Sequence, residues 1–303
     1  MTRVRNHALR LGASISIAIG TAAMPATPAH ADIILDASAG YFYDDNLPNA
    51  LNKADRREDS ALTVSARAGV GHQLTTNTGI SASVLLRQAQ YFQYEGLTNF
   101  AAGAQVKLRH KFGLGSNTPW LSISGQALHL DYRYDYRDGW SYDAAIAVGK
   151  RLNDRLELNG LVSYDSYVAD ELQPTILPGY STDAYDISGW TLGIRAGIAM
   201  STLDYLSAAY ARRNGTVTAV TPPDFEVLEY SDAIARDTVF EPGWVAYRFA
   251  DDVDTDLFSL SWTHEFGRHA SMSLSYVYST TLAPADLGSY DSNVVSLRVV
   301  YNL

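Results

Sequence analysis

The chain has 303 residues, 47% hydrophobic and 18% charged, with a formal net charge of −10 at pH 7 and no cysteine. The missing cysteines exclude a disulfide framework and thiolate metal sites, and the acidic balance excludes non-specific nucleic-acid binding, which needs a basic face. Beyond residue 31 no apolar run reaches the roughly 20 residues of a membrane helix, so any crossing would be made by strands.

Arg3, Arg5 and Arg10 precede an apolar run from Leu11 to Met24, followed by Pro25, Pro28 and Ala29-His30-Ala31. A basic head, an apolar stretch of about 14 residues and an A-x-A site predict a cleaved secretory signal peptide over 1–31. Its removal takes 3 of the 23 basic residues and leaves 20 against 33 acidic ones, a net charge near −13.

The remainder, 32–303, reads as twelve strands, because apolar residues recur at every second position and side chains alternate faces along a strand. The first spans about 33–43 and the second 60–74, where Leu62, Val64 and Val70 oppose Thr63, Ser65 and Arg67. In the third, 79–94, the phase blurs around Gln88, which predicts a bulge. The fourth, 99–112, alternates clearly. The fifth, 120–134, shows a slip near Gly125 and resumes outward as Leu128, Leu130, Tyr132 and Tyr134. The sixth to eighth span 139–152, 155–168 and 187–200, and the ninth, 203–213, is weakly patterned. The tenth and eleventh span 255–266 and 270–282.

The twelfth is 290–303. Val295, Leu297, Val299, Tyr301 and Leu303 line one face, and Ser296, Arg298 and Asn302 the other. A terminal strand with an apolar ridge invites aggregation as a free edge, but fits one that pairs with the first strand. The pattern resembles the closing strand of bacterial outer-membrane β-barrels, with Tyr301 in the expected place and Leu303 where an aromatic residue is usual. Strands of 11–15 residues exceed the roughly 9–11 that cross an apolar core. The long connections, 44–59, 169–186 and 214–254, all fall at one end. The predicted fold is therefore an all-β, transmembrane, antiparallel up-and-down barrel of about twelve strands with those loops extracellular.

Chemistry is sparse. His269-Ala270-Ser271 has the His-x-Ser spacing of outer-membrane phospholipase A and lipid A deacylase, but it falls at a short turn, whereas those enzymes work at the outer leaflet. His72, His110, His129 and His264 are scattered and give no metal-ligand spacing, so no metal or cofactor is expected. On the polar face lie Arg67, Lys107, Arg109, Lys111, Arg151, Arg195 and Arg298, with Asp143, Glu157 and Asp165. These make either a paired network filling a narrow interior or a basic ladder guiding an anionic solute. The 214–254 insertion carries Asp224, Glu226, Glu229, Asp232 and Asp237, with Asp251 and Asp252 further on. Folded inward it would constrict a pore with negative charge; an outward surface excursion is the expected arrangement.

Three functions follow in order: a passive channel for small solutes, a plugged barrel displaying its loops to a partner, and an outer-leaflet lipid enzyme. Twelve-stranded channels for nucleosides or acidic oligosaccharides are similar in size. The resemblance implies outer-membrane lipids, lipopolysaccharide and the barrel-assembly machinery as partners, with no nucleic acid.

Overall fold

The computed structural model describes residues 32–249, 253–283 and 287–303. The signal peptide expected over 1–31 lies outside the described residues, as do Asp251 and Asp252. Twelve strands close a barrel: β1 (Asp32–Asp44), β2 (Asp59–Thr75), β3 (Thr78–Tyr91), β4 (Asn99–Lys111), β5 (Trp120–Tyr132), β6 (Gly139–Arg151), β7 (Leu156–Ala169), β8 (Ile187–Ala199), β9 (Asp204–Gly215), β13 (Asp254–Glu265), β14 (Ala270–Leu282) and β15 (Ser289–Asn302). Between β9 and β13 the insertion forms its own three-stranded sheet, β10 (Val217–Thr221), β11 (Ala233–Arg236) and β12 (Val245–Phe249), with a short helix α1 (Phe225–Glu229).

Every barrel neighbour is antiparallel, and β15 closes the ring on β1, with Tyr301 opposite Ala37 and the Leu303 amide donating to the Leu35 carbonyl at 2.9 Å. Closure removes both sheet edges, so every barrel strand has a partner on each side.

The outward face carries exposed Leu62, Val64, Val84, Leu86, Ile146, Leu192, Ile194, Leu260 and Leu297. Aromatic rings bracket this band. Toward the long loops Tyr164 meets Trp190 and Tyr210 meets Phe258, both at 5.0 Å between centroids. Toward the short turns the rings of His110 and Phe112 lie 4.9 Å apart, and those of His264 and Phe266 4.7 Å. An apolar belt between two aromatic girdles suits a bilayer core flanked by its interfaces.

Two expectations are corrected. The register of β3 runs unbroken past Gln88, which pairs with Val64 and Phe100, so there is no bulge there. Gln88 and Gln90 blur the pattern because they point outward close to the long-loop rim. The register of β5 is likewise continuous through Gly125, without a slip. Leu128, Leu130 and Tyr132 therefore point inward and are buried, while Gly125 and Ala127 form the outward face. Leu128 and Leu130 pack with Leu85 and Ala101 as an apolar cluster inside the barrel.

Candidate functional site

The insertion decides the state of the long-loop mouth. Its sheet is apolar on both faces, since neighbouring residues alternate. Val220, Ala233, Ala235 and Ala246, with Phe240 and Trp244, pack onto the inward-facing Phe42, Ala61, Ala89 and Tyr91 of β1–β3. Ala219, Ile234, Val245, Tyr247 and Phe249 pack away from the barrel, with Val227 and Leu228 of α1, Leu51, Ile176, Tyr180 and Leu287. The insertion thus folds inward as a cap, contrary to the surface excursion expected of a loop. Alanines on the barrel-facing side allow close approach, and burying both faces of the sheet supplies the driving force.

A buried ion pair ties the cap to two other loops. Asp237 is fully buried and accepts from the Arg137 guanidinium and, at 2.7 Å, from the Tyr185 hydroxyl. Arg137 stacks 4.9 Å from the Tyr185 ring and 5.9 Å from that of Phe240. Burial, with the Asp237 charge beside it, pushes the Tyr185 hydroxyl well above its ordinary value, so it stays a neutral donor. A second clasp joins Arg248 to Asp232 at 2.6 Å and to Asp183 at 2.9 Å. Of the predicted acidic residues, Asp232 and Asp237 are therefore engaged by arginines. Asp224 caps α1 by accepting from the Glu226 amide at 2.8 Å, and Glu226 and Glu229 are exposed. The cap does not present a bare acidic ring to the lumen.

Below the cap, register places Arg67, Lys107, Arg109, Lys111, Asp143, Arg151, Glu157, Asp165, Arg195 and Arg298 on the inward face. Arg67 pairs with Asp36 at 2.6 Å, and Arg298 donates to the Ser38 hydroxyl at 3.1 Å. Arg109 lies 4.7 Å from the Trp120 ring, and Arg195 donates to the Ser207 hydroxyl at 3.1 Å. Facing the axis, Arg298 and Asp143 are nonetheless exposed to water.

Two inward arginines escaped the sequence reading. Arg87 on β3 donates to the Gln126 amide oxygen at 3.3 Å, and Gln126 donates to Asp143 at 3.2 Å. It was hidden by the blurred phase at Gln88. Arg213 on β9 is buried and reaches across β8 to Asp165 at 2.7 Å and to the Thr216 carbonyl at 2.9 Å. Its guanidinium lies over Gly189, where an added Cβ would sit 2.6 Å from the Arg213 Cζ, so the crossing needs glycine. Only the placement of Arg213 beside Arg212 in a strand rich in alanine hinted at it.

The histidines serve the wall. His129 bonds Asp170 at 2.7 Å and meets the Trp140 ring, and His264 bonds Asp204 at 2.9 Å. His269 is engaged through Nδ1 with the Asn302 carbonyl at 3.0 Å, beside the closing strand. Among the described residues no group of three or more His, Asp or Glu gathers as for a metal ion.

No family model and no curated protein matches the chain. Among solved structures, an outer membrane channel from Pseudomonas putida F1 aligns over 93% of this chain and 100% of its own, with a TM-score of 0.57 and 11% identity. The chain has an outer-membrane β-barrel fold. The KdgM porin in complex with disordered oligogalacturonate aligns over 88% of this chain and 99% of its own, with a TM-score of 0.45 and 8% identity. The toluene transporter TodX of Pseudomonas putida aligns over 89% and 88%, with a TM-score of 0.41 and 8% identity.

Proposed function

We propose that the chain is a passive channel for small solutes in the bacterial outer membrane, its long loops outside the cell and its outer mouth closed here by the cap. The observation that carries this reading is the exposure of Arg298 and Asp143, which face the barrel axis yet meet water. A barrel whose interior served only as packing would bury and pair such charges. The fold shared with an outer membrane channel supports it. The reading makes lipids the partner of the outward belt, lipopolysaccharide that of the long-loop rim, and the barrel-assembly machinery that of β15. It assigns no catalysis to His269 and Ser271.

The second reading, a plugged barrel displaying its loops, draws on the apolar seal between the cap and Phe42, Ala61, Ala89 and Tyr91. Planar-bilayer recording of the refolded protein separates the two. Stepwise conductance from a barrel that shows heat-modifiable gel migration is expected. Silence from that folded barrel, with the cap intact and with it loosened, would transfer the assignment to display.

A further inference from the structure

Six inward cations lie on four strands of the contiguous run β15-β1-β2-β3-β4: Arg298 on β15, Arg67 on β2, Arg87 on β3, and Lys107, Arg109 and Lys111 on β4. Asp36 is the acid set among them, with Asp32, Asp44 and Asp59 at the strand ends. Pairing keeps the cations close along the wall: Arg87 lies opposite Ser65, two residues from Arg67, and Arg298 lies opposite Gly40, which is itself opposite Thr63. Arg67 has its carboxylate in Asp36, but Arg298 and Arg87 donate to neutral groups, the Ser38 hydroxyl and the Gln126 amide. Such bonds satisfy geometry without cancelling charge. On the facing strands, Asp165 is taken up by Arg213, and Asp143 is bonded to the same Gln126. The wall is thus positive in a protein whose overall charge is strongly negative, so it does not follow from composition.

Like charges gathered at a partly desolvated wall are unfavourable unless an anion joins them, and a narrow lumen focuses their field. Guanidinium forks match the planar or tetrahedral oxygens of carboxylate and phosphate. We infer that Arg67, Arg87, Lys107 and Arg298 form an oxyanion site in the lumen, and that the solute passed is a small anion bearing a carboxylate or phosphate group. The site stands independently of transport; its role in permeation rests on the channel reading above.

The test uses the refolded protein in two settings. In detergent, binding of inorganic phosphate and of citrate is measured by calorimetry. In planar bilayers, the reversal potential is read in a potassium chloride gradient, and each anion is then added as a blocker. The expected results are saturable binding, an anion-preferring reversal potential, and a half-blocking concentration raised by about tenfold or more in Arg87→Gln and Arg298→Gln, as losing one charge-assisted bond implies. Lys107→Gln supplies an independent charge removal should either arginine variant fail to fold. Phosphate acting without citrate assigns a phosphate group, and the converse a carboxylate. Binding with a silent bilayer keeps the site and removes the channel. Conductance with no anion preference and no binding overturns the site and leaves the channel. Binding unchanged in all three variants overturns the residue assignment.

Discussion

Asp237→Ala unlatches the cap without unfolding the barrel. The carboxylate is fully buried and serves Arg137 and Tyr185, which come from two loops outside the insertion. Its removal leaves the Arg137 guanidinium uncompensated in an apolar surround made by Tyr185 and Phe240, a loss of about 3–5 kcal/mol for such pairs. The cost falls on the closed arrangement, because an opened Arg137 can return to water. A shift of that size alters a closed-to-open ratio by about two orders of magnitude or more. The barrel ladder involves none of these groups. The expected variant therefore keeps its heat-modifiable migration, yet conducts far more and is cleaved within 214–254 by added protease. Arg137→Met combined with Asp237→Leu is the control: it removes both charges, preserves apolar packing and stays closed. Wild-type conductance and wild-type protease resistance in Asp237→Ala would show that this pair does not hold the cap.

Legibility in the sequence followed the physics of each face. Where outward residues met a uniform apolar medium, alternation was strong, and strands such as β4 and β15 could be located to within a residue or so. The interior obeys no such rule. Leu128 and Leu130 looked lipid-facing because they are leucines, whereas the true outward positions are the small Gly125 and Ala127. Arg213 sits in a strand whose two faces both carry alanine, so neither face could be named. The cap was hidden for another reason. A loop is expected on the surface, but the partners of Asp232 and Asp237 include Asp183-bound Arg248 and, 100 positions away, Arg137. Alternation was present in Ala233-Ile234-Ala235 and Val245-Ala246-Tyr247, yet nothing local says which apolar face meets a barrel wall.

The inward course of β5 also identifies a position intolerant of change. Gly103 lies between Leu85 and Leu128 in one inward row, and those two leucines meet inside the barrel. A Cβ at 103 would stand 1.9 Å from the Ala127 carbonyl oxygen and 2.8 Å from the Leu128 Cα. Both are backbone atoms of the paired strand, so relief requires moving β5 rather than turning a side chain. Glycine is used where backbones approach this closely and where a barrel wall turns sharply. Gly103→Val therefore breaks the β4–β5 ladder at mid-height and separates the leucines, and in a closed barrel one lost pairing opens two edges. The expected product fails to reach the heat-modifiable form on refolding. Gly125→Val, two residues before Ala127 on the outward face, is the matched comparison. Its Cβ would have only the Asp143 carbonyl oxygen nearby, at 3.9 Å, and it refolds. Equal refolding yields for the two variants would mean that the close approach of β5 to position 103 does not require glycine.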